Sequence, residues 1–486
     1  MTTVKDPSLR DSLIPIFVLI ALLALSVILF GDSSSSGPNQ IVLIIGAAVA
    51  SIIAVKNGHR WADLQSAMVA GIGTAMGAIL ILLSVGGLIG TWMMSGTVPS
   101  MIYYGLELMN PSVFFAATCL ICAISSLSIG SSWTVAGTLG VGLIGVAMGL
   151  GLSVEITAGA VISGAYFGDK MSPLSDTTNL APAVVGTDLF THIRHMAWTT
   201  GPSFGLALIL FAAIGLGGDI DGDAGSLQQT MDTLGAAFHI SPLALLPLAL
   251  VFYLAFRKFP PLPTILIGAF FGGIMAVILQ PEVVLAFADA GDNGPALGYT
   301  KGVWIALADG YVSATGVAEV DDLLSRGGMS SMLTTIWLIL CALAFGAVLE
   351  HAGMLERLIK SALKAARSTG SLITTVVMTC IGVNIVAADQ YIAIVLPGKM
   401  FKAEFQKRNL DPRNLSRVVE DSGTLTSPLV PWNTCGAYMA ATLGVATLAY
   451  LPFAFFNLIN PLVSIFYGYT GFTIKRLDED EIAANA

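Results

Sequence analysis

Long apolar runs recur along this chain and constrain its fold more than any other feature. The run at 13–30 contains no charged residue, and the runs at 41–55 and 331–349 are of the same kind. Only 11% of the 486 residues are charged, against about 25% in soluble globular domains. A membrane-spanning helix needs about 20 residues, so the chain has room for roughly ten to thirteen crossings. The sequence predicts an all-α polytopic membrane protein.

Basic residues indicate the expected orientation, because loops rich in Lys and Arg stay on the cytoplasmic side. Loop 31–39 has no Lys or Arg, whereas Lys56 and Arg60 follow the second apolar run. A basic pair at 475–476 follows the last apolar run. Both chain termini are therefore expected in the cytoplasm.

One polar stretch, FGDKMSPLSDTTNLAP at 167–182, lies between two apolar segments. An ionisable side chain at membrane depth costs roughly 2.5–3.5 kcal/mol on insertion scales, so it is rarely there without a task. The two prolines in the stretch remove backbone donors and free carbonyl groups. Unwound backbone inside a bilayer is tolerated only where it is buried in protein or lines a cavity. We interpret the stretch as one half of an ion-binding site.

Two further interruptions predict re-entrant hairpins. The run at 113–124 breaks at SSLSIGSSW, 125–133, and returns through 134–150. Neither flank of this segment carries Lys or Arg, so entry and exit are expected on one side. In the second half, the 28 residues from 371 to 398 are too few for two full crossings, and both flanks are basic.

The second half of the chain echoes the first. SPLSDTTN at 172–179 aligns with SPLVPWNT at 427–434, an offset of 255. At an offset of 257, Ser132 of the first hairpin aligns with Asp389 of the second. Matching polar breaks at matching positions predict two copies of one structural unit.

The two copies have opposite charge bias. The stretch 92–111 lacks Lys and Arg, whereas its counterpart at 350–368 carries four such residues. Inverted repeats whose broken helices meet near the midplane are typical of secondary transporters. We therefore predict two inverted-topology repeats with re-entrant hairpins and broken helices. The expected organisation is an N-terminal span and outer loop at 1–39, a first repeat at 40–217, a connecting region with one span at 218–261, a second repeat at 262–470 and a cytoplasmic acidic tail at 471–486.

Oxygen ligands cluster at the breaks and hairpin tips, and oxygen ligands suit hard cations such as Na⁺. A carboxylate that binds Na⁺ when ionised and H⁺ when neutral gives antiport by competition. Asp176 and Asp389 are the leading candidates, because each lies at a polar break of one copy. The sequence assigns Na⁺ to Asp176, Asp389, Asn433 and Thr178. The other candidates are Asp169, Thr177, Asn179, Ser172, Ser132, Ser427 and Thr434, with Asp421, Asn384 and Ser131 as secondary candidates.

Several of these residues have a structural interpretation as well. Asp169 is explained equally well as a partner of Lys170 that braces the broken helix. Asp421 lies close to a basic loop, so a structural salt bridge explains it as well as a binding role does. Ser172 and Thr177 are also typical helix N-caps.

Other conspicuous residues are expected to be structural. Trp133 and Trp432, each next to a polar break, are interpreted as packing walls. Glu350 and His351 are interpreted as an ordinary interfacial pair, with pH sensing by the histidine as the alternative. The five cysteines lie in apolar surroundings and are expected to be small buried residues rather than metal ligands or disulfides.

Three strings carry a family resemblance. GDKMSPLSDTTNLAPAVVGTDLFTHIRHM at 168–196 resembles the signature of the NhaC family of Na⁺/H⁺ antiporters, and 389–401 and 422–439 are similar to that family too. The resemblance implies a secondary transporter of the bacterial inner membrane, a homodimer with a scaffold and a moving transport domain. In the matched motif it places Asp169, Ser172, Asp176, Thr177, Thr178 and Asn179 in the transport domain, with Asp389, Ser427, Asn433 and Thr434 as their partners.

The leading functional hypothesis is Na⁺/H⁺ antiport, with Li⁺ as a possible second substrate. Because the NhaC family includes malate–lactate antiporters, coupled exchange of a small organic acid is the alternative. A channel would not need protonatable ligands in two inverted breaks. No nucleotide-phosphate loop, HExxH motif or nucleophile elbow occurs, so neither an enzyme nor a cofactor is predicted. Nothing in the composition suggests nucleic acid, and the lipid bilayer is the expected surrounding.

Overall fold

The computed structural model describes residues 4–217, 224–289, 294–364 and 366–477. Across these ranges the chain is helical, and its β-structure is limited to two isolated bridges, Tyr311–Arg326 and Leu410–Arg476. Nine helices of the described chain are long and apolar enough to cross a membrane, or up to eleven if each of two sharply bent pairs is one span. The all-α polytopic class is confirmed, and the higher count lies within the predicted range. The predicted tail falls outside the described residues from 478 onwards.

The first half contains eleven helices. A Ser8–Asp11 capping box starts the first of them, and a short π-helical turn joins α7 to α8. In chain order they are α1 Leu9–Phe30, α2 Pro38–Lys56, α3 Trp61–Thr74, α4 Met76–Met94, α5 Thr97–Leu108, α6 Phe114–Ile129, α7 Ser132–Val135, α8 Val141–Gly149, α9 Val154–Met171, α10 Asp176–Val185 and α11 Leu189–Gly217.

The described residues of the remainder form fourteen α-helices. In chain order they are α12 Ala224–Ala237, α13 Leu246–Phe256, α14 Pro261–Leu279, α15 Pro281–Ala288, α16 Gly294–Ala308, α17 Ala318–Leu324, α18 Leu333–His351, α19 Met354–Leu363, α20 Thr369–Val386, α21 Gln390–Lys407, α22 Pro412–Val419, α23 Thr434–Leu443, α24 Thr447–Tyr450 and α25 Phe455–Thr470. A π-helical turn, Glu420–Thr424, follows α22 directly.

Close glycine packing shows the direction of the first hairpin. A Cβ on Gly164 of α9 would lie 2.1 Å from the Cys119 carbonyl oxygen of α6, and one on Gly168 would lie 2.2 Å from the Leu127 nitrogen. Residue numbers rise together along both helices, so α6 and α9 are parallel. Helices α7 and α8, which connect them, must therefore run back. The segment α6–α8 is a helical hairpin whose tip lies near Gly130.

The α6–α9 contact gives a first prediction. Gly164→Ala should destabilise the protein by about 1–3 kcal/mol, because the added methyl group meets backbone atoms that cannot rotate away. Thermal unfolding in detergent measures the effect. Gly201→Ala in α11 is the matched control, since a Cβ there would meet nothing within 4 Å. Equal thermal stability of the two variants would contradict the parallel contact.

Direct contacts close the second hairpin. The Arg408 guanidinium, just after α21, donates to the carbonyl oxygens of Ala366 at 2.6 Å and Ser368 at 3.1 Å, just before α20. Helix α21 therefore returns to the level at which α20 begins. The same level holds the end of α25, because the Asp411 nitrogen donates to the Lys475 carbonyl oxygen at 3.2 Å. The tip of this hairpin lies at 387–389.

The two hairpins open at opposite ends of the helix bundle. The start of α9 lies beside the start of α25, since a Cβ on Gly159 would meet Phe453 at 2.5 Å. The second hairpin instead opens where α25 ends. Their tips therefore approach each other in the middle of the bundle, beside the breaks that follow α9 and the Glu420–Thr424 turn.

The regions that separate the two halves are also helical. The expected single span of the connecting region is a bent pair, 227–237 with 242–256, whose arms meet at 87°. The 281–328 segment contains α15, α16 and α17. Trp304, expected in an interfacial or re-entrant piece, lies on α16 and is exposed.

Candidate ion-binding site

A cavity of about 620 Å³ lies where the two hairpin tips meet the first break. Three carboxylates line it, one each from α9, α10 and the second tip. It extends to Lys258 and Phe259, in the loop between α13 and α14. The lining includes Ser131, Ser132, Trp133, Thr134, Asp169, Asp176, Asp389, Gln390, Tyr391, Thr434 and Cys435.

The first tip holds the deepest carboxylate. Gly130 ends α6 with a φ of 78°, a value that favours glycine. Ser131 then caps α7, its Oγ accepting from the Thr134 nitrogen at 3.3 Å. Ser132 Oγ donates to Asp169 Oδ2 at 2.6 Å. Asp169 is 5% exposed, and its Oδ1 has no hydrogen-bond partner among the residues described. Asp169 thus offers a buried, unpaired oxygen at the cavity wall.

The second tip bridges to the first break. Ala388 has a φ of 57°, and Asp389 then caps α21, its Oδ1 accepting from the Ile392 nitrogen at 2.9 Å. Two residues later, the Tyr391 hydroxyl donates a short hydrogen bond to Asp176 Oδ2. Asp176 Oδ1 accepts from the Thr177 nitrogen at 3.0 Å. Asp176, the most exposed of the three acids, is therefore linked to the opposite hairpin.

The remaining polar groups of the first break hold its backbone. Thr178 Oγ1 lies 2.9 Å from the carbonyl oxygens of both Asp169 and Lys170. Asn179 Nδ2 donates to the carbonyl oxygens of Pro173 at 2.9 Å and Ser175 at 2.6 Å. These side chains satisfy carbonyl groups that the unwound segment frees.

The second break is braced in the same way. Asn433 Nδ2 donates to the carbonyl and side-chain oxygens of Asn384, both at 3.1 Å. Asn384 Nδ2 in turn donates to the Gly423 carbonyl oxygen at 2.7 Å. Ser427 Oγ donates to Gln390 Oε1 at 2.8 Å. The Thr434 nitrogen donates to the Ala388 carbonyl oxygen at 3.0 Å, which ties the second break to the second tip.

The predicted site residues therefore fall into two groups. The cavity lining contains Asp169, Asp176, Asp389, Ser131, Ser132 and Thr434. The predicted residues outside that lining are Ser172, Thr177, Thr178, Asn179, Asn384, Asp421, Ser427 and Asn433. Of the four predicted Na⁺ ligands, the two carboxylates face the cavity, whereas Thr178 and Asn433 make the backbone contacts described above.

Lys170 pairs with Asp421 rather than with its neighbour Asp169. Both side chains of this ion pair are completely buried, and Lys170 Nζ donates to Asp421 Oδ1. Lys170 Nζ also donates to Asn460 Oδ1 at 2.9 Å, and Thr199 Oγ1 donates to Asp421 Oδ1 at 3.0 Å. The pair joins α9 of the first half to the π-helical turn of the second.

Sequence reasoning missed several residues of the cavity. Tyr391 and Gln390 follow Asp389 directly, and only the three-dimensional arrangement shows that they face the first break. Trp133 stacks on Tyr438 with ring centroids 3.9 Å apart and planes at 14°, so the expected packing wall also lines the cavity. Lys258 gave no signal beyond its place in a basic loop.

Other conspicuous residues of the sequence have the following surroundings. Trp432 Nε1 donates to the Ile385 carbonyl oxygen at 2.6 Å. All five cysteines are buried and free. The His351 ring lies 5.4 Å from that of His59. Burial lowers the pKa of His59, and the charge of His351 acts in the same direction.

The chain is similar in sequence to known antiporters. The model of the Na⁺/H⁺ antiporter family matches residues 164–472, which include both breaks and the second hairpin. The chain is 41% identical over 438 residues to the Na⁺/H⁺ antiporter NhaC of Alkalihalophilus pseudofirmus, covering 90% of this chain and 91% of that protein. It is 38% identical over 475 residues to the malate-2H⁺/Na⁺-lactate antiporter of Bacillus subtilis, covering 97% and 96%. It is 35% identical over 481 residues to the arginine/ornithine antiporter ArcD of Halobacterium salinarum, covering 98% and 95%.

Proposed function

We propose that this chain, which belongs to the Na⁺/H⁺ antiporter family, exchanges cytoplasmic Na⁺ for external H⁺ by competition of the two ions for carboxylates of the cavity. The observation that carries the proposal is the Asp169 carboxylate, buried at the cavity wall with one oxygen lacking a hydrogen-bond partner within the described chain. A buried ionised carboxylate is costly unless a cation or a donor satisfies it. Either Na⁺ or H⁺ supplies what this oxygen lacks.

The charge of the lining favours a cation. Asp169, Asp176 and Asp389 contribute three acidic groups, and Lys258 is the one basic residue among the described lining residues. Lys258 lies at the loop end of the cavity, away from the tips. The C-terminal ends of α6, α9 and α20 at the tips and first break supply carbonyl groups, which together with carboxylates are suitable oxygen ligands for a hard cation.

The position of the cavity supports exchange from the cytoplasmic side. It extends to Lys258 in a basic loop, and such loops are cytoplasmic under the positive-inside rule. Na⁺ from the cytoplasm would then meet Asp176 first and Asp169 more deeply. A proton that arrives from outside in the opposite conformation displaces Na⁺, because one carboxylate cannot hold both ions.

The inverted repeat remains part of this proposal. A glycine with positive φ, Gly96 at 78° and Gly353 at 68°, separates a long helix from a short one in each half. A hairpin and a broken helix follow both times. Ser131 and Asp389 are the N-caps of equivalent helices, α7 and α21. This equivalence differs by one position from the sequence alignment, which matched Ser132 with Asp389. Repeats that rock against each other expose one site to alternate sides.

Other elements of the proposal rest on the family resemblance. We infer an inner-membrane homodimer with cytoplasmic termini, and we include Li⁺ as a second substrate because it shares the charge and oxygen preference of Na⁺. Crosslinking in native membranes tests the dimer, and replacement of Na⁺ by Li⁺ in the exchange assay tests the ion range.

Tyr391 gives a prediction specific to this site. Tyr391→Phe removes the hydroxyl that donates to Asp176, and a hydrogen bond to a charged group contributes about 1.5–3 kcal/mol. Because this hydrogen bond holds the Asp176 carboxylate in place at the cavity, its loss should raise the apparent KM for Na⁺ about tenfold. Tyr469→Phe, with a side chain at the exposed end of α25, should leave KM unchanged. An unchanged KM in Tyr391→Phe would remove Tyr391 from the site.

Exchange of an organic acid is the second candidate. Helices α7, α10, α21 and α23 all begin at or beside the cavity, and helix N-termini attract anions. A cavity of about 620 Å³ is also larger than a bare ion requires, and the relative from Bacillus subtilis exchanges malate and lactate by name.

One experiment separates the two candidates. Purified protein in proteoliposomes is given an imposed pH gradient, and proton movement is followed on addition of NaCl alone, then of malate or lactate with and without Na⁺. Proton movement on addition of NaCl alone, unchanged by organic acids, is the result expected for Na⁺/H⁺ exchange. Proton movement that requires malate or lactate would contradict Na⁺/H⁺ exchange and support exchange of an organic acid.

A further inference from the structure

Glu420 is a buried acidic group that the proposed exchange at the cavity does not use. It is the first residue of the π-helical turn Glu420–Thr424. Its side chain is completely buried, and neither carboxylate oxygen is hydrogen-bonded within the part of the chain that the structure describes. It does not line the cavity. π-Helical turns inside α-helices occur frequently at functional sites.

The base beside Glu420, Lys170, already has two partners. The ammonium of Lys170 contacts Asp421 and Asn460. Arg417, one turn earlier and also completely buried, donates from Nη1 to Thr473 Oγ1 at 2.9 Å. Glu420 and Asp421 are adjacent in the chain, but Lys170 forms its ion pair with Asp421.

A count of charges leaves Glu420 without a base of its own. Among the described residues, Lys170 is the base near the Glu420 carboxyl, and its ammonium already pairs with Asp421. Near the Glu420 carboxyl lie the hydroxyl of Thr424 in the turn itself, the hydroxyl of Thr177 on α10, and the charges of Lys170 and Asp169 on α9. An isolated ionised carboxylate in such surroundings costs several kcal/mol or more, whereas the neutral acid does not.

We propose that Glu420 is a second proton-binding carboxyl group, outside the cavity, whose proton is released when Na⁺ binds at Asp169. The inference rests on the proposed function. Na⁺ at Asp169 brings a positive charge towards Glu420 and favours its ionised form. The freed Glu420 carboxylate can then accept from the nearby Thr424 hydroxyl, which has no partner among the described residues. The O–H bond of the Glu420 carboxyl group is the bond that breaks, and its proton passes to water. This proton is additional to those that Na⁺ displaces from the cavity carboxylates.

A hydroxyl route connects the two sites. Thr177 lies next to Asp176 in sequence, and its Oγ1 is 3.1 Å from Ser175 Oγ. It also lies beside the Glu420 carboxyl. A proton from Glu420 therefore has two neighbouring hydroxyls within the first break, Thr177 and Ser175, while the cavity itself remains the path of Na⁺.

Coupling to Glu420 would change the number of protons exchanged for each Na⁺. Exchange at the cavity alone gives a fixed number of protons per Na⁺, and coupling to Glu420 adds one. Glu420→Gln removes the extra proton and keeps the size of the side chain. The H⁺:Na⁺ ratio is measured in proteoliposomes as the reversal potential at clamped voltage and pH gradient. We expect Glu420→Gln to carry one proton fewer per Na⁺ than the wild type. An unchanged ratio in an active variant would overturn the proposal.

A second measurement tests the proposal even if the Glu420→Gln variant does not transport Na⁺. Infrared difference spectra of purified wild-type protein, recorded on Na⁺ addition, should lose a protonated-carboxyl C=O band that is absent in Glu420→Gln. An identical band in both proteins would overturn the proposal. Glu350→Gln, at the exposed end of α18, is the matched control and should retain the band and the ratio. If Asp169→Asn keeps Na⁺/H⁺ exchange, the proposed function fails; if only the Glu420 results fail, the second proton site fails alone.

Discussion

Asp169→Asn should reduce Na⁺/H⁺ exchange at least about a hundredfold, because a unit charge at about 4 Å is worth about 4 kcal/mol at the effective dielectric of a protein. Asn keeps the shape of the side chain and can still accept from Ser132, so the hairpin tip should remain folded. Only the charge at the unpaired oxygen is lost. Proton movement driven by a Na⁺ gradient in proteoliposomes measures the effect.

Two controls separate charge from folding in this experiment. Asp63→Asn removes an acid whose side chain is 46% exposed and which pairs with Arg60 at the surface; it should exchange like the wild type. Thermal unfolding in detergent should give the same midpoint for Asp169→Asn and the wild type. Retention of wild-type exchange in Asp169→Asn would show that this carboxylate does not bind the ion.

Lys170→Met should destabilise the fold by about 3–5 kcal/mol, since it leaves the Asp421 carboxylate buried without its cation. Adding Asp421→Asn to the same chain should recover most of the loss, because the neutral side chain needs no cation and can still accept from Thr199. The midpoint of thermal unfolding is the readout, compared among wild type, the single variant and the double variant.

The surface pair Arg60–Asp63 supplies the control for this ion pair. Its side chains are 76% and 46% exposed, and exposed pairs contribute only about 0–1 kcal/mol. Arg60→Met should therefore hardly move the unfolding midpoint. If Lys170→Met were no more destabilising than Arg60→Met, or if Asp421→Asn gave no recovery, the buried pair would not hold the two halves together.

The sequence predicted those features of the site that have a local signal. Polar residues and prolines inside apolar runs located the breaks after α9 and before α23, and the absence or presence of flanking basic residues located the hairpins. The positions of the breaks and hairpins follow from the free-energy cost of polar groups in lipid. This cost applies to each residue by itself, so the sequence alone reveals it. The candidate carboxylates Asp169, Asp176 and Asp389 were found in this way.

Partner choice could not be predicted, because it depends on distant packing. Lys170 lies beside Asp169 in sequence but pairs with Asp421, 251 positions away. In a helix, adjacent side chains point in different directions, so sequence proximity was misleading here. Tyr391 reaches Asp176 only because the tip of the second hairpin meets the first break. Thr178 and Asn433 have side-chain oxygens that suit a cation. In the structure, however, their side chains donate to backbone carbonyl oxygens near the breaks.

The direct test of the central claim is equilibrium binding of ²²Na⁺ to purified protein in detergent across a range of pH. Competition for one set of carboxylates predicts that the apparent Kd for Na⁺ rises as pH falls, and that each Na⁺ bound releases protons into an unbuffered medium. Asp169→Asn should bind Na⁺ weakly at every pH. A Kd that does not change with pH, or Na⁺ binding without proton release, would contradict the account.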